Sequence, residues 1–245
     1  MNLLRKISSG LPDGQVETIC VGTHWTGVVV ERGGHKCCGL ASNPVKDFQV
    51  DATLRTTLSE LEKQRALELC DLATDQVLPL TSIGLAAINA LLPLHPEHWV
   101  DRNAGDVLAQ KGRGKRVALV GHFPFVPDLR KQVGELYVLE LRPQDGDLHA
   151  SEAPRIIPQA DVVAITSMAF VNGTMEGLLS LCSSDAYVIV LGPSTPLSPL
   201  LFEYGIDMLC GSIVVTIDPV LDSIRSGDGF QQIKRHGVRL VTIEK

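Results

Sequence analysis

The chain has 245 residues, 44% hydrophobic and 20% charged, a mix that fits a folded globular protein and excludes disordered and fibrous classes. A chain of this length buries enough surface to fold without disulfides or a structural metal. Its net charge of -6 is spread over both halves, so no basic lobe follows a phosphate backbone, and nucleic acid is not an expected partner.

A short amphipathic helix is expected over 2–7. Runs rich in β-branched residues follow at 16–21 and 26–31, with a third strand at 36–40. Short turns, including Arg32-Gly33-Gly34-His35, join them into an antiparallel meander. His24 and Trp25, in the turn between the first two strands, either face a second domain or only close the hairpin. Leu54, Leu58, Leu61, Leu69 and Leu72 recur mostly at three- and four-residue steps or their sums, which marks a helix face. The stretch 77–94 has no charge, but Pro79 and Pro93 confine its helix to about half the ~20 residues a bilayer requires. It is expected as a buried core helix capped by the Ser82 hydroxyl, and no membrane partner is expected. His95-Pro96-Glu97-His98 sets two imidazoles at three-residue spacing, a partial metal site or, given Pro96, a surface turn. The Gly-alternating Lys111-Gly112-Arg113-Gly114-Lys115-Arg116 reads as a solvated linker. An α+β domain is therefore expected over 1–110 and a second domain over 111–245.

In the second domain, apolar runs at 116–120, 136–141, 161–166, 187–191, 208–212 and 238–243 alternate with helical stretches. Val162-Val163-Ala164-Ile165 and Tyr187-Val188-Ile189-Val190-Leu191 are apolar throughout, as strands covered on both faces are. The pattern implies an α/β, Rossmann-like, doubly wound and mostly parallel sheet.

Ligands of such sheets bind outside the carboxyl ends of the strands. Those ends carry Gly121-His122-Phe123-Pro124-Phe125, Glu140, Thr166-Ser167 running on to Asn172-Gly173-Thr174, Gly192-Pro193-Ser194-Thr195-Pro196, and Gly211-Ser212. Ser198-Pro199 reads as a helix cap and first helical position. Hydroxyls and free amides there could hold an oxyanion or phosphate; the alternative is a rigid connection. Ser194 lacks the Gly-x-Ser-x-Gly setting of a nucleophile. Glu140 follows Gly121 at about the 20-residue spacing of a ribose-binding acid. Phe123 and Pro124 would obstruct a pyrophosphate, however, so NAD is disfavoured. His122 points to metal ligation or proton transfer, or to a simple strand-end hydrogen bond.

Six cysteines occur without a Cys-x-x-Cys or an export signal, so reduced thiols and a cytoplasmic setting are expected. Cys37 and Cys38, adjacent on a strand, point to opposite faces.

Three motifs, Ser82-Ile83-Gly84-Leu85-Ala86-Ala87-Ile88-Asn89-Ala90-Leu91, Val120-Gly121-His122-Phe123-Pro124 and Gly192-Pro193-Ser194-Thr195-Pro196-Leu197, in this order resemble the bacterial and archaeal family described as "putative heavy-metal chelation". The likeness runs over nearly the whole chain. It implies an enolase-N-terminal-like α+β domain, then a Rossmann-like domain, with a site in the cleft between them. It places Asn89, His122, Glu140, Asn172, Ser194 and Thr195 in that cleft, and Gly121 and Gly192 within its ligand-binding motifs. Thr166-Ser167-Met168-Ala169-Phe170 departs from the Gly-containing turn expected of relatives. The function expected is binding of a transition or heavy metal, or of a metal chelate, with His122 and Glu140 as ligands. The alternative is an enzyme acting on a heterocyclic or phosphorylated small molecule of nucleotide or pterin type. In that reading His122 is the general acid or base, Glu140 its partner, and the Ser194-Thr195 loop the anion holder. A third reading makes the cleft a seam in a regulatory or scaffold protein. Enolase chemistry does not follow, because its barrel is missing. Exposed meander strands make a homodimer a further expectation.

Overall fold

The computed structural model describes residues 2–44 and 50–245. The Asn2 side chain accepts from the Leu4 amide at 3.0 Å and so starts α1 (Leu3–Ser8). Strands β1 (Gln15–Val21), β2 (Trp25–Arg32) and β3 (His35–Ser42) form the expected antiparallel meander, in the order β1-β2-β3. The leucine-spaced segment is two helices, α2 (Ala52–Leu61) and α3 (Ala66–Asp71). Asp51 caps the first. Arg65 interrupts the face, and its amide donates to the Glu68 carboxyl.

The uncharged stretch is α4 (Leu80–Leu91), with ten of its residues buried. It begins before Ser82, behind Pro79, so Ser82 is not its cap. That hydroxyl instead donates to the Ser42 carbonyl at 2.8 Å. The amides of Thr81 and Ile83 already donate to the Val77 and Pro79 carbonyls, so the Ser82 hydroxyl is not needed as a cap and bonds across to the neighbouring strand.

The chain then passes through β4 (Trp99–Val100) and α5 (Ala104–Lys111), both part of the second layer. The basic stretch is the turn from α5 into β5 (Arg116–Val120), and Lys111 Nζ lies 4.3 Å from the centre of the Tyr187 ring. Next come α6 (Val126–Leu129), β6 (Glu135–Glu140), β7 (Leu148–His149), α7 (Ala153–Ile156), β8 (Val162–Thr166), α8 (Met168–Val171) and α9 (Met175–Ser180). They are followed by β9 (Tyr187–Leu191), β10 (Met208–Val214), α10 (Ile217–Arg225), α11 (Phe230–Arg235) and β11 (Val238–Glu244). The sheet order is β4-β11-β10-β9-β8-β5-β6-β7. Strands β10 through β7 are parallel, while β11 pairs antiparallel with both β10 and β4. The all-apolar β8 and β9 are central, covered on both faces as their sequences require.

One continuous core joins both sheets, with Leu3, Ile83 and Ile88 packed among the same residues as Ala118, Val163 and Val190. A second core, with Leu108, Leu119 and Ile189, covers the far face of the parallel sheet. A third places Cys38 and Trp25 against Val220 and Ile224 of α10. The meander is thus held between α4 and α10, and its seam with the parallel sheet is a packed interface. No helix of the described residues is long and apolar enough to cross a membrane.

Candidate functional site

Three groups of the expected site residues occupy different places. The first is the seam. Ser194 is fully buried; its Oγ accepts from the Ser42 amide at 2.8 Å and lies 2.9 Å from the Ser42 hydroxyl. Asn89 Nδ2 donates to Leu40 O at 2.9 Å and to Ser194 O at 3.2 Å, while its buried Oδ1 has no partner among the described residues. Thr195 Oγ1 donates to Gly192 O at 2.8 Å. The Ser194 hydroxyl and the Asn89 amide stitch β3 and α4 to the loop after β9, while the Thr195 hydroxyl closes the loop on itself; both hydroxyls belong to buried residues. Ser198 makes no side-chain cap, and Pro199–Tyr204 is a 3-10 turn. Gly192, at φ +134°, crosses the Ser167 hydroxyl too closely for any Cβ. Asn172 is exposed and accepts from the amide and hydroxyl of Thr174, away from this seam's hydrogen bonds. Ser194→Ala would leave the half-buried Ser42 amide without its acceptor. It is expected to cost about 1–3 kcal/mol, read as a lowered urea midpoint.

The second group lies where the winding reverses. From β5 the chain runs outward to β6 and β7, then returns to β8 on the other side of β5. Open α/β sheets bind ligands at such a switch point. Gly121 turns here at φ +98°, packed on Thr166. Glu140 and His122 do meet, but through the backbone: Glu140 Oε2 accepts from the His122 amide at 3.1 Å, and Oε1 accepts from the Leu141 amide at 2.8 Å. The orienting carboxyl of the ring is a residue the sequence did not single out, Asp147. Its Oδ2 lies 2.9 Å from His122 Nδ1 and accepts from the Gln144 amide at 3.0 Å, and its side chain is wholly screened from solvent. This partner assigns the ring proton to Nδ1 and leaves Nε2 as the open nitrogen. The His122 side chain is 21% exposed. Asp147 sits in Pro143-Gln144-Asp145-Gly146-Asp147, which reads as an ordinary exposed turn.

The third group is His95, Glu97 and His98. Pro96 opens a tight 3-10 turn, Pro96–His98, which folds the two histidines together, with ring centres 5.4 Å apart and planes at 28°. His95 Nδ1 lies 3.1 Å from Glu97 Oε1. A backbone hydrogen bond of its own, then the bond to His95, holds the Glu97 carboxyl below the usual range. One ligand atom from each of the three lies within 4.8 Å of the others; among the described residues no other such group of three His, Cys, Asp or Glu occurs. His122, Glu140 and Asp147 do not converge in this way. The histidines edge a cavity of about 300 Å³ that also touches Leu94, Trp99, Leu197 and Phe202.

Four of the six thiols are poorly placed to compete for a metal. Burial pushes the thiols of Cys38 and Cys70 up to about 12, and those of Cys182 and Cys210 up to about 11. A metal needs the thiolate, which these sites disfavour.

Residues 103–242 match the family described as "putative heavy-metal chelation", and residues 4–92 match a second family model with the same description. A crystal structure of a protein of unknown function of the DUF364 family from Desulfitobacterium hafniense DCB-2 is 28% identical, with TM-score 0.83, covering 99% of this chain and 97% of that one. Another DUF364 protein of unknown function, from Pyrococcus horikoshii, shares the fold at 20% identity and TM-score 0.78, covering 99% and 98%. An uncharacterized protein of Methanocaldococcus jannaschii is 25% identical over 202 residues, 79% of this chain and 76% of its own length.

Proposed function

The chain belongs to the family described as "putative heavy-metal chelation", and on that premise we propose that it binds a divalent transition metal through His95, Glu97 and His98. The observation that carries this reading is the approach of three donor atoms of the right kind to within 4.8 Å. Imidazole and carboxylate donors suit zinc, nickel, copper and iron, whereas soft ions prefer sulfur. The raised thiols of Cys38, Cys70, Cys182 and Cys210 therefore favour this class over mercury or cadmium. Three protein ligands leave coordination positions open. The neighbouring cavity, with Trp99 and Phe202 on its wall, fits the organic part of a metal chelate, so the ion need not arrive bare. His122 and Glu140 have no part in this donor set.

Protein stripped with chelator, equilibrated with zinc, nickel or copper and desalted, is expected to retain about one ion per chain. His95→Ala/His98→Ala is expected to lower affinity by more than about 100-fold, since outer-shell partners alone are worth 10–100-fold, while His122→Ala retains the ion. Affinity falls on acidification, because ligating imidazoles must lose their proton. Absence of uptake by the unmodified chain, or equal uptake by the double variant, contradicts the reading.

A further inference from the structure

We propose that the ion held by His95, Glu97 and His98 passes directly to and from a neutral, planar, aromatic nitrogen chelator seated in the adjoining cavity. Chain and chelator share the metal during the exchange, and the ion is not released bare. Resting on the metal reading, this adds to it a partner and a route. The donor set is built for exchange. All three residues are exposed, and among the described residues their only side-chain hydrogen bond is the one between His95 and Glu97. Structural metal sites are closed by four ligands, with histidines fixed by outer partners. These three instead sit on and beside one short turn, Pro96–His98, with no other element orienting the rings. One donor can therefore leave as another arrives.

The class of partner follows from the cavity. Both histidines line its volume of about 300 Å³, the lower end of the small-molecule range and room for a few flat rings. Its other walls are apolar and come from distant parts of the chain: Leu94 after α4, Leu197 and Phe202 after β9, Trp99 in β4 and Ile243 in β11. Trp99 keeps area on the cavity although the Arg239 guanidinium lies 5.2 Å from its ring centre, and a flat molecule gains by lying against such a ring. Charge at the rim is balanced. The Glu244 carboxylate accepts from Arg102 at 2.8 Å, and Lys245 follows it. An anionic chelator would lose hydration among these apolar walls without a free cation to repay it, so a neutral one is favoured. In the exchange, lone pairs of the chelator nitrogens bond the metal first at its open positions and then in place of the protein donors. Glu97 leaves as a carboxylate and the histidines as neutral imidazoles, so the departing complex carries the two positive charges of the ion. The reverse sequence loads the chain.

The test is stopped-flow transfer of zinc from the loaded full chain to terpyridine and to the anionic dye zincon, each of which changes its absorbance on binding zinc. The rate to terpyridine is expected to rise with its concentration, to level off as the shared complex fills, and to exceed the rate to zincon at least tenfold. Leu94→Ser/Phe202→Ala, with its melting temperature as the control for folding, is expected to bring the two rates together. Where that variant unfolds, Leu94→Ser alone, at a position 53% exposed, lowers the ratio of the rates in smaller measure. Absence of zinc on the unmodified chain overturns this proposal together with the metal reading. A loaded chain that gives up zinc at a rate independent of chelator, equal rates to the two chelators, or an unchanged ratio in the folded variants overturns this proposal alone.

Discussion

Gly39→Ala is expected to destabilise the protein by about 3 kcal/mol, the upper part of the range for overpacked cores. Gly39 lies in β3 opposite Val28, directly beneath α4. A Cβ built there would stand 2.0 Å from the Ala86 carbonyl oxygen and 2.3 Å from the Ala90 nitrogen. Both obstacles are backbone of a buried helix, so no side chain can rotate away; strand and helix must separate, opening the core that joins the two sheets. For a chain of this length such a loss lowers the melting temperature by about 6–12 °C. Gly177→Ala in α9 is the contrasting control. Nothing lies within 4 Å of its Cβ position, and alanine in a helix is favoured by up to about 1 kcal/mol. A fall for Gly39→Ala no larger than 1 °C would mean that the sheet and α4 are not in this close register.

The second large effect is alkaline. Desolvation raises the Cys38 and Cys70 thiols from an ordinary 9.0 to about 12. Between these values the unfolded chain loses a proton that the folded chain keeps, so stability is whole below pH 9 and is lost as pH rises toward 12. Three pH units correspond to at most about 4 kcal/mol per thiol. Urea midpoints are therefore expected to fall steeply over this window, and Cys38→Ala/Cys70→Ala, though less stable at neutral pH, to show a shallower decline. Equal slopes for the two proteins would contradict the assignment. The same burial predicts slow alkylation of both thiols at neutral pH.

Much of the architecture was legible in the residues. Apolar runs such as Val162-Val163-Ala164-Ile165 allow only a strand buried on both faces, and β-branched runs joined by a Gly-Gly turn allow little besides a hairpin. What escaped were features set by partners distant in the chain. The strands Trp99–Val100 and Leu148–His149 are two residues long and exist only because β11 and β6 offer them an edge. Ser82 and Ser198 carry the sequence marks of caps, yet the first bonds across to β3 and the second makes no cap. The site was legible in a similar measure. Gly121, His122 and Glu140 do stand at strand ends, but which atoms meet was settled by a loop that carries Asp147 into place. At His95-Pro96-Glu97-His98 the proline gave a correct turn, and that turn is what brings the two imidazoles together. Ser194 and Asn89 marked the contact between the two sheets, where the Ser194 hydroxyl and the Asn89 amide nitrogen bond across it, whereas the Thr195 hydroxyl bonds within its own loop.

The most direct measurement is anomalous scattering from a crystal of the chain equilibrated with nickel and recorded at the nickel absorption edge. The account predicts one strong peak enclosed by His95, Glu97 and His98, with none beside His122. A peak at His122 or among the cysteines, or no peak at all, would contradict it.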